Sequence, residues 1–240
     1  MRPDSGTTFQ GEEEWRTDGL HAGRLCAVPF ASCFAYSPCG SGPVCEQGRL
    51  LCARLKTLDP RWLSRLAADV WLEAHARKRF AHVLGRRVVL VPVPGSALPS
   101  GAVWAGERLA WCLKELELAQ RVWPLLRRCR AVRKSAFAPA GARPSVREHY
   151  ESFAIDEAFS GAAACETQGA GLQLTLVDDV ITRGRTVLGA AARLREAFPG
   201  AEVRAFALLR TLARGEPLCR VLDPCQGEVR WTGADARRMP

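Results

Sequence analysis

The stretch Leu174-Thr-Leu-Val-Asp-Asp-Val-Ile-Thr-Arg-Gly-Arg-Thr186 decides the fold of this chain. Its apolar start, residues 172–177, predicts a buried strand, and apolar positions between Val187 and Phe198 recur at helical spacing. A strand that passes through a short loop into a helix brings Asp178 and Asp179 to the carboxyl edge of a sheet. In open α/β sheets, ligands bind outside that edge.

The loop after the two acids has the composition of a phosphate-binding turn. Backbone N–H groups at a helix N-terminus are unpaired and carry partial positive charge, so they attract an anion. Thr182 and Thr186 add hydroxyl donors, and Gly184 allows a close approach of the backbone. Because carboxylates accept hydrogen bonds from ribose hydroxyls, the segment favours a sugar phosphate as ligand. The alternative is an ordinary turn between a strand and a helix.

Helical and extended patterns alternate along the rest of the chain. Asp59 followed by Pro60 predicts a helix start, and residues 104–119 predict a further helix. Short apolar runs predict strands at residues 88–93, at 121–126 with an interruption at Pro124, at 172–177 and at 202–209. Strands that alternate with helices predict an α/β fold in which helices cover both faces of a parallel sheet.

Composition narrows the class of protein. The 240 residues are 48% hydrophobic, which is enough for a substantial core, and the sequence has no apolar run as long as a transmembrane helix, so we expect no membrane span. The first 25 residues contain five acids and no apolar block, so they predict a solvated tail and no signal peptide. We therefore expect a cytoplasmic location, in which the ten cysteines are reduced.

Five cysteines lie between Cys26 and Cys52, at separations of 7, 6, 6 and 7 residues. Zinc knuckles use pairs two to four residues apart, and no C-x-x-C occurs here, so structural Zn²⁺ is possible but is not favoured over unligated cysteines in a loop. The composition predicts a flexible tail and an irregular cysteine-rich segment over residues 1–47. The main domain is expected over residues 48–240.

The net charge of +9 is unevenly distributed. Residues 121–150 contain eight Arg or Lys and one acid, Glu148. Such a segment attracts polyanions, so it favours a small ligand with several phosphates or a nucleic acid. A basic surface without a specific ligand is the third interpretation.

The segment around the two acids resembles the phosphoribosyl-pyrophosphate (PRPP) motif of type I phosphoribosyltransferases. That motif has an apolar run, two acids, an apolar residue and a loop of hydroxyls and glycine. The matching positions in this chain are Asp178, Asp179, Val180, Thr182, Gly184 and Thr186. Arg183 departs from the motif, because the family has a small residue at that place.

The similarity extends to the ComF/GntX family of competence-associated, phosphoribosyltransferase-like proteins. It covers about residues 48–212, with Val-Leu-Val-Pro-Val-Pro at 89–94 and a basic stretch at 126–135 as further matches. The resemblance implies a Rossmann-like core with an N-terminal helical, cysteine-containing extension. The family often carries a four-cysteine zinc finger, of which residues 26–45 would be a degenerate remnant.

One departure from the family concerns the segment after residues 89–94. The family has an arginine-rich stretch there, which ends in Arg-Gly-Phe-Asn-Gln, and residues 95–108 of this chain lack it. In the related enzymes this loop helps to hold pyrophosphate. Pro94, Gly95 and Ser96 keep backbone groups at the site without side-chain donors, which weakens the expectation of catalysis more than that of binding.

The resemblance implies a mechanism. Mg-PRPP would bind with its 5-phosphate in residues 182–186, where Arg183 and Arg185 would add phosphate contacts. Asp178 and Asp179 would receive the ribose hydroxyls and Mg²⁺, directly or through its water. A nitrogen acceptor would displace pyrophosphate, while Mg²⁺ and arginines neutralise the leaving charge.

Residues 121–150, which we call the basic segment, supply the candidates for a mobile loop that closes over the diphosphate. These are Arg133, Lys134 and Arg147, and the alternative for all three is a solvated run of charge. His149 is either a proton donor or a structural histidine.

Three functions remain open from the sequence. One is an active phosphoribosyltransferase with an unknown nitrogen acceptor. The second is a catalytically weak PRPP- or nucleotide-binding module, for example in DNA uptake. The third is a DNA-binding accessory protein that uses residues 121–150. The terminal segments, 1–58 and 210–240, match no acceptor-binding pattern, and a homodimer is expected only by analogy with related enzymes.

Overall fold

The computed structural model describes residues 26–57, 59–97, 103–133, 143–158, 171–213 and 215–240. Their elements, in chain order, are β1 (Ala27–Tyr36), α1 (Pro43–Lys56), α2 (Pro60–His75), β2 (Gly85–Pro92), α3 (Ala105–Glu115), β3 (Ala119–Val122), β4 (Leu126–Arg128), α4 (Val146–Ser152), β5 (Phe153–Ile155), β6 (Gln173–Ile181), α5 (Arg185–Ala197), β7 (Glu202–Thr211), β8 (Leu222–Trp231) and β9 (Ala236–Met239). Seven strands form one sheet, in the order β3-β2-β6-β7-β1-β8-β9, and β4 pairs with β5 separately.

The sheet is mostly parallel. Strands β3, β2, β6, β7 and β1 run in the same direction, β8 is antiparallel to β1, and β9 is antiparallel to β8. Two apolar clusters cover its faces, one with Leu174 and Leu176 of β6 and the other with Val177. The predicted α/β class with helices on both faces is confirmed, and the arrangement is compatible with a Rossmann-like core.

Most predicted elements lie within a few residues of their observed bounds. The strand predicted at 121–126 is two strands, because the chain leaves the main sheet after Val122 and β4 joins β5. Pro124 lies between them, where the missing N–H prevents a continuous ladder.

The N-terminal boundary predicted at residue 47 does not separate β1 from the sheet. β1 pairs in parallel with β7 and antiparallel with β8, and Phe30, Ala31 and Cys33 have no exposed surface. Helix α1 crosses the same boundary. Residues 27–36 therefore belong to the core. Their nearly continuous apolar run is the pattern expected of a strand that is buried on both faces.

The C-terminal hairpin of β8 and β9 had no predicted structure. Its Arg238 donates to the carbonyl oxygens of Ile181, over 3.3 Å, and Thr211, over 2.8 Å. These carbonyls lie at the ends of β6 and β7, so the hairpin packs on the edge of the sheet that carries the two acids. No helix in the described part of the chain has the length and apolar character needed to cross a membrane.

Candidate functional site

The two acids lie near the end of β6. The ladder with β7 continues past both of them, so β6 extends beyond its predicted end at Val177. On the other side, pairing with β2 stops at Pro92, opposite Val177. Within the described residues, the part of β6 that carries Asp178 and Asp179 is therefore paired on one side only.

The two carboxylates point to opposite faces of the sheet, because successive side chains of a strand alternate. Asp178 lines a cavity beside the loop after β6. The charge of Asp179 lies near Tyr36 and Cys52, on the face that α1 covers. The two acids still touch, since the N–H of Asp179 donates to Oδ1 of Asp178 over 2.9 Å.

The electrostatics at Asp178 are those of an uncompensated acid. Loss of hydration, and then the adjacent charge of Asp179, raise the pKa of Asp178 well above its ordinary value. The more distant guanidinium of Arg128 opposes this effect. A cation near Asp178 would stabilise its ionised form.

Residues 182–186, which we call the β6 loop, lead into helix α5. Gly184 precedes the helix in a left-handed conformation, with φ 87°. A Cβ at this position would lie 2.3 Å from Cγ1 of Val229 in β8. Glycine is therefore required here for packing against the C-terminal hairpin, and Gly184 also lies in the lining of the cavity that Asp178 lines.

The β6 loop forms one wall of the cavity. Residues 180–187 line it together with Asp178, His149 and Arg143. Its volume is about 30 Å³, above the ~10–15 Å³ that one water needs, so a small group fits there. All five predicted loop residues (Thr182, Arg183, Gly184, Arg185 and Thr186) lie in this lining.

The two loop arginines bind a partner that the sequence analysis did not identify. Arg185 donates to both carboxylate oxygens of Asp235 over 2.5 and 2.6 Å, and to the carbonyls of Arg143 and Pro144 over 3.1 and 3.2 Å. Arg183, which is more exposed, lies 3.1 Å from the same carboxylate. Asp235 is in the turn of the C-terminal hairpin, so this hairpin holds the loop in place.

Arg128 is the buried cation behind the site, with 3% of its surface exposed. It donates to the carbonyl of Gly95 over 2.9 Å and to Ser152, and it stacks on the ring of Phe153. Burial lowers the pKa of Arg128 to about 10, although Asp178 opposes this shift. Because its hydrogen-bond partners are neutral, its positive charge acts mainly on the surrounding site.

Residues 94–96, which we call the β2 loop, lie at the same edge of the sheet. Pro94 is buried, whereas Gly95 is exposed and Ser96 is half-buried. The carbonyl of Gly95 accepts from Arg128, and that of Ser96 accepts from the N–H of Val132 over 2.9 Å. These contacts place the β2 loop beside the basic segment.

The residues predicted to bind the diphosphate have different surroundings. Arg133 is exposed and follows Val132, next to the β2 loop. Arg147 pairs with Glu151 over 2.7 Å, and Arg130 pairs with the same carboxylate over 2.5 Å. Lys134 lies outside the described residues. The basic segment therefore includes one buried cation and a partly neutralised surface.

The cysteine-rich segment has no metal-site geometry in the described residues. Cys26 and Cys39 are exposed, whereas Cys33, Cys45 and Cys52 are buried. No cluster of three or more His, Cys, Asp or Glu side chains in this part of the chain could hold a metal ion. Mg²⁺ is a separate case, since it commonly binds through one or two carboxylates together with waters and substrate phosphates. Asp178 presents one such carboxylate to the cavity, whereas Asp179 points to the other face of the sheet.

Sequence reasoning missed Arg128 and Asp235. Arg128 shares the buried side of β4 with Leu126, while Arg127 between them is exposed, so the alternation was a usable signal. Asp235 carries no such signal, because its contact with Arg185 spans 50 residues.

No family model matches the sequence, and no curated protein matches it at a significant level.

Proposed function

We propose that this chain binds Mg-PRPP and transfers its phosphoribosyl group to a nitrogen acceptor, with release of pyrophosphate. The observation that carries the proposal is the acid pair at a parallel strand end, directly before a hydroxyl-bearing loop at a helix start. A sugar phosphate needs acceptors for its ribose hydroxyls, which the acids supply, and donors for its phosphate, which the loop supplies. The resemblance to the ComF/GntX family favours the same activity.

The β6 loop supplies the groups that would bind the phosphate. Helix α5 has 13 residues and begins directly in the β6 loop, so its free N–H groups attract an anion. Thr182 and Thr186 line the same cavity. Arg185 helps to fix the conformation of the loop but adds little positive charge for an anion, because Asp235 already neutralises it.

The acid pair supplies the groups that would orient the ribose. Asp178 would accept from a ribose hydroxyl, and a cation held beside it would offset the adjacent charge of Asp179. Asp178 would hold Mg²⁺ at the cavity with the help of the nearby charge of Asp179, and the ion would supply positive charge that stabilises the departing pyrophosphate. Arg128 would stabilise the same charge from behind the β2 loop.

The second candidate is a PRPP- or nucleotide-binding module without efficient catalysis. The β2 loop favours it, because Gly95 and Ser96 use their carbonyls to hold the basic segment. Side chains that would grip pyrophosphate are missing from the loop. A nucleic-acid function is less well supported, since Arg130 and Arg147 are both paired with Glu151.

Titration calorimetry with PRPP, with and without Mg²⁺, tests the proposal. We expect Mg²⁺-dependent binding by the wild type and its loss in an Asp178→Asn/Asp179→Asn double variant. Asp223→Asn is the matched control, because Asp223 pairs with Arg210 away from the cavity. Wild-type binding followed by pyrophosphate release with an acceptor supports the enzyme, and binding without turnover supports the module. Binding that survives in the double variant would contradict both.

A further inference from the structure

His149 connects the buried cation to the β6 loop. It lies in α4 with 4% of its surface exposed. Its Nδ1 is 3.4 Å from a terminal nitrogen of Arg128, and its Nε2 is 3.3 Å from Oγ1 of Thr186. Gly189 of α5 makes the approach possible, since a Cβ there would lie 2.8 Å from the Cβ of His149. The ring is therefore fixed between two elements of the site.

These contacts determine which ring nitrogen carries the proton. Arginine has donors and no acceptor, so Nδ1 of His149 must accept in the contact with Arg128. A neutral imidazole has one proton, which is then on Nε2 and directed at Thr186. The reverse arrangement would place an Nδ1–H against the N–H groups of Arg128.

The ring stays neutral in the physiological range. Burial, and then the positive charges of Arg128 and Arg185, lower the pKa of His149 to about 3. This lowered pKa argues against the proton-donor role that the sequence offered for His149.

The tautomer of His149 determines how the hydroxyl of Thr186 can form hydrogen bonds. A hydroxyl has a single proton, and when its oxygen accepts from His149, that proton is free for a bond on the other side. Thr186 lines the cavity at the start of α5. We infer that His149 is a positioning residue, which holds the Thr186 hydroxyl as a hydrogen-bond donor towards an anion in the cavity. The identity of that anion, the 5-phosphate of PRPP, rests on the proposed function.

Two substitutions of His149 separate this role from simple packing. In His149→Gln the side-chain amide N–H₂ reaches the position of Nε2 and still donates to Thr186. In His149→Asn the shorter side chain keeps a group near Nδ1, beside Arg128, but loses the donor to Thr186. Thr186→Val removes the hydroxyl and keeps the shape of the side chain.

The expected loss follows from one neutral hydrogen bond. We expect His149→Asn and Thr186→Val each to bind Mg-PRPP about three- to ten-fold more weakly than the wild type, by calorimetry. His149→Gln should restore affinity to within about two-fold, and His149→Asn/Thr186→Val should lose no more than Thr186→Val alone. Thermal unfolding of each variant confirms that the chain is folded. Equal losses in the Gln and Asn variants would overturn the inference.

A second measurement does not depend on PRPP. Long-range proton–nitrogen NMR correlations of the full chain, labelled with nitrogen-15 at its four histidines, report the tautomer of each ring, and His149→Gln identifies the signal of His149. We expect the Nε2–H tautomer at pH 7. The Nδ1–H tautomer or an imidazolium would overturn the inference. If the wild type fails to bind PRPP, the proposed function fails, and the tautomer alone decides the positioning role.

Discussion

The β6 loop and the β2 loop lie at the same edge of the sheet, on neighbouring parallel strands, yet they are built differently. The β6 loop presents hydroxyls to a cavity and is held from outside by Asp235, Val229 and His149. The β2 loop presents little beyond its backbone, and its carbonyls are already bonded to the basic segment. Binding groups are thus concentrated at one strand end, and the other mainly closes the site.

Gly184→Ala should show the largest difference between the two loops. The new Cβ meets Val229 and the left-handed backbone disfavours alanine, so we expect a loss of roughly 2–4 kcal/mol in the free energy of unfolding. Gly95→Ala in the β2 loop is the control, because no atom lies within 4 Å of its added Cβ. It should change stability by less than about 0.5 kcal/mol. Urea denaturation measures both, and equal effects would contradict the contrast.

Arg128→Lys tests the residue that joins the two loops. Lysine lacks the planar fork that reaches Gly95, His149 and Ser152 together, so we expect a loss of about 1–3 kcal/mol in unfolding free energy. Arg127→Lys, on the exposed side of the same strand, should be nearly neutral. If the two variants were equally stable, Arg128 would not be the link.

Asp178→Asn should stabilise the folded chain at pH 7. Because the pKa of Asp178 is raised on folding, its contribution to stability is fully present below about pH 4 and is lost as pH rises through the raised value. Removing the charge should raise the unfolding temperature by about 2–4 °C, the shift that roughly 1 kcal/mol produces in a chain of this size. The gain should vanish in acid, and a lower unfolding temperature at pH 7 would contradict the account.

Asp235→Asn should have the smallest effect, in the opposite direction. Burial alone would raise the pKa of Asp235, but hydrogen bonds from Arg185 and from the N–H of Ala236 hold it below its ordinary value. Its stabilising contribution is therefore present above about pH 4 and is lost as pH falls through the lowered value. We expect a loss of at most about 1 kcal/mol at pH 7, since the pair is partly exposed. Wild type and variant should converge in thermal scans as the pH falls below the lowered pKa of Asp235.

The fold was predictable where burial leaves a periodic pattern. The apolar runs of β2, β6 and β7 and the helical spacing of α5 gave their positions, and the acid pair marked the functional edge. β1 was missed because the segment with Cys26 and Cys33 was interpreted as part of a cysteine-rich loop, although Ala27–Tyr36 is an almost continuous apolar run.

The rest of the site could not be predicted because it depends on contacts between distant parts of the chain. The pair of Arg185 with Asp235 and the packing of Gly184 on Val229 join residues with no shared local pattern. The opposite directions of Asp178 and Asp179 follow from the continuation of β6, which pairing with β7 determines. Charge counting over residues 121–150 likewise gave no sign that Arg128 is buried.

Amide hydrogen exchange with and without Mg-PRPP tests the central claim most directly, because it locates the ligand along the chain. We expect slower exchange in residues 178–190 and a smaller effect in residues 143–149, of which Arg143 and His149 line the same cavity. Residues 60–75 of α2 serve as the internal reference and should not change. Protection confined to α2 or to the basic segment, with none in the β6 loop, would contradict the account.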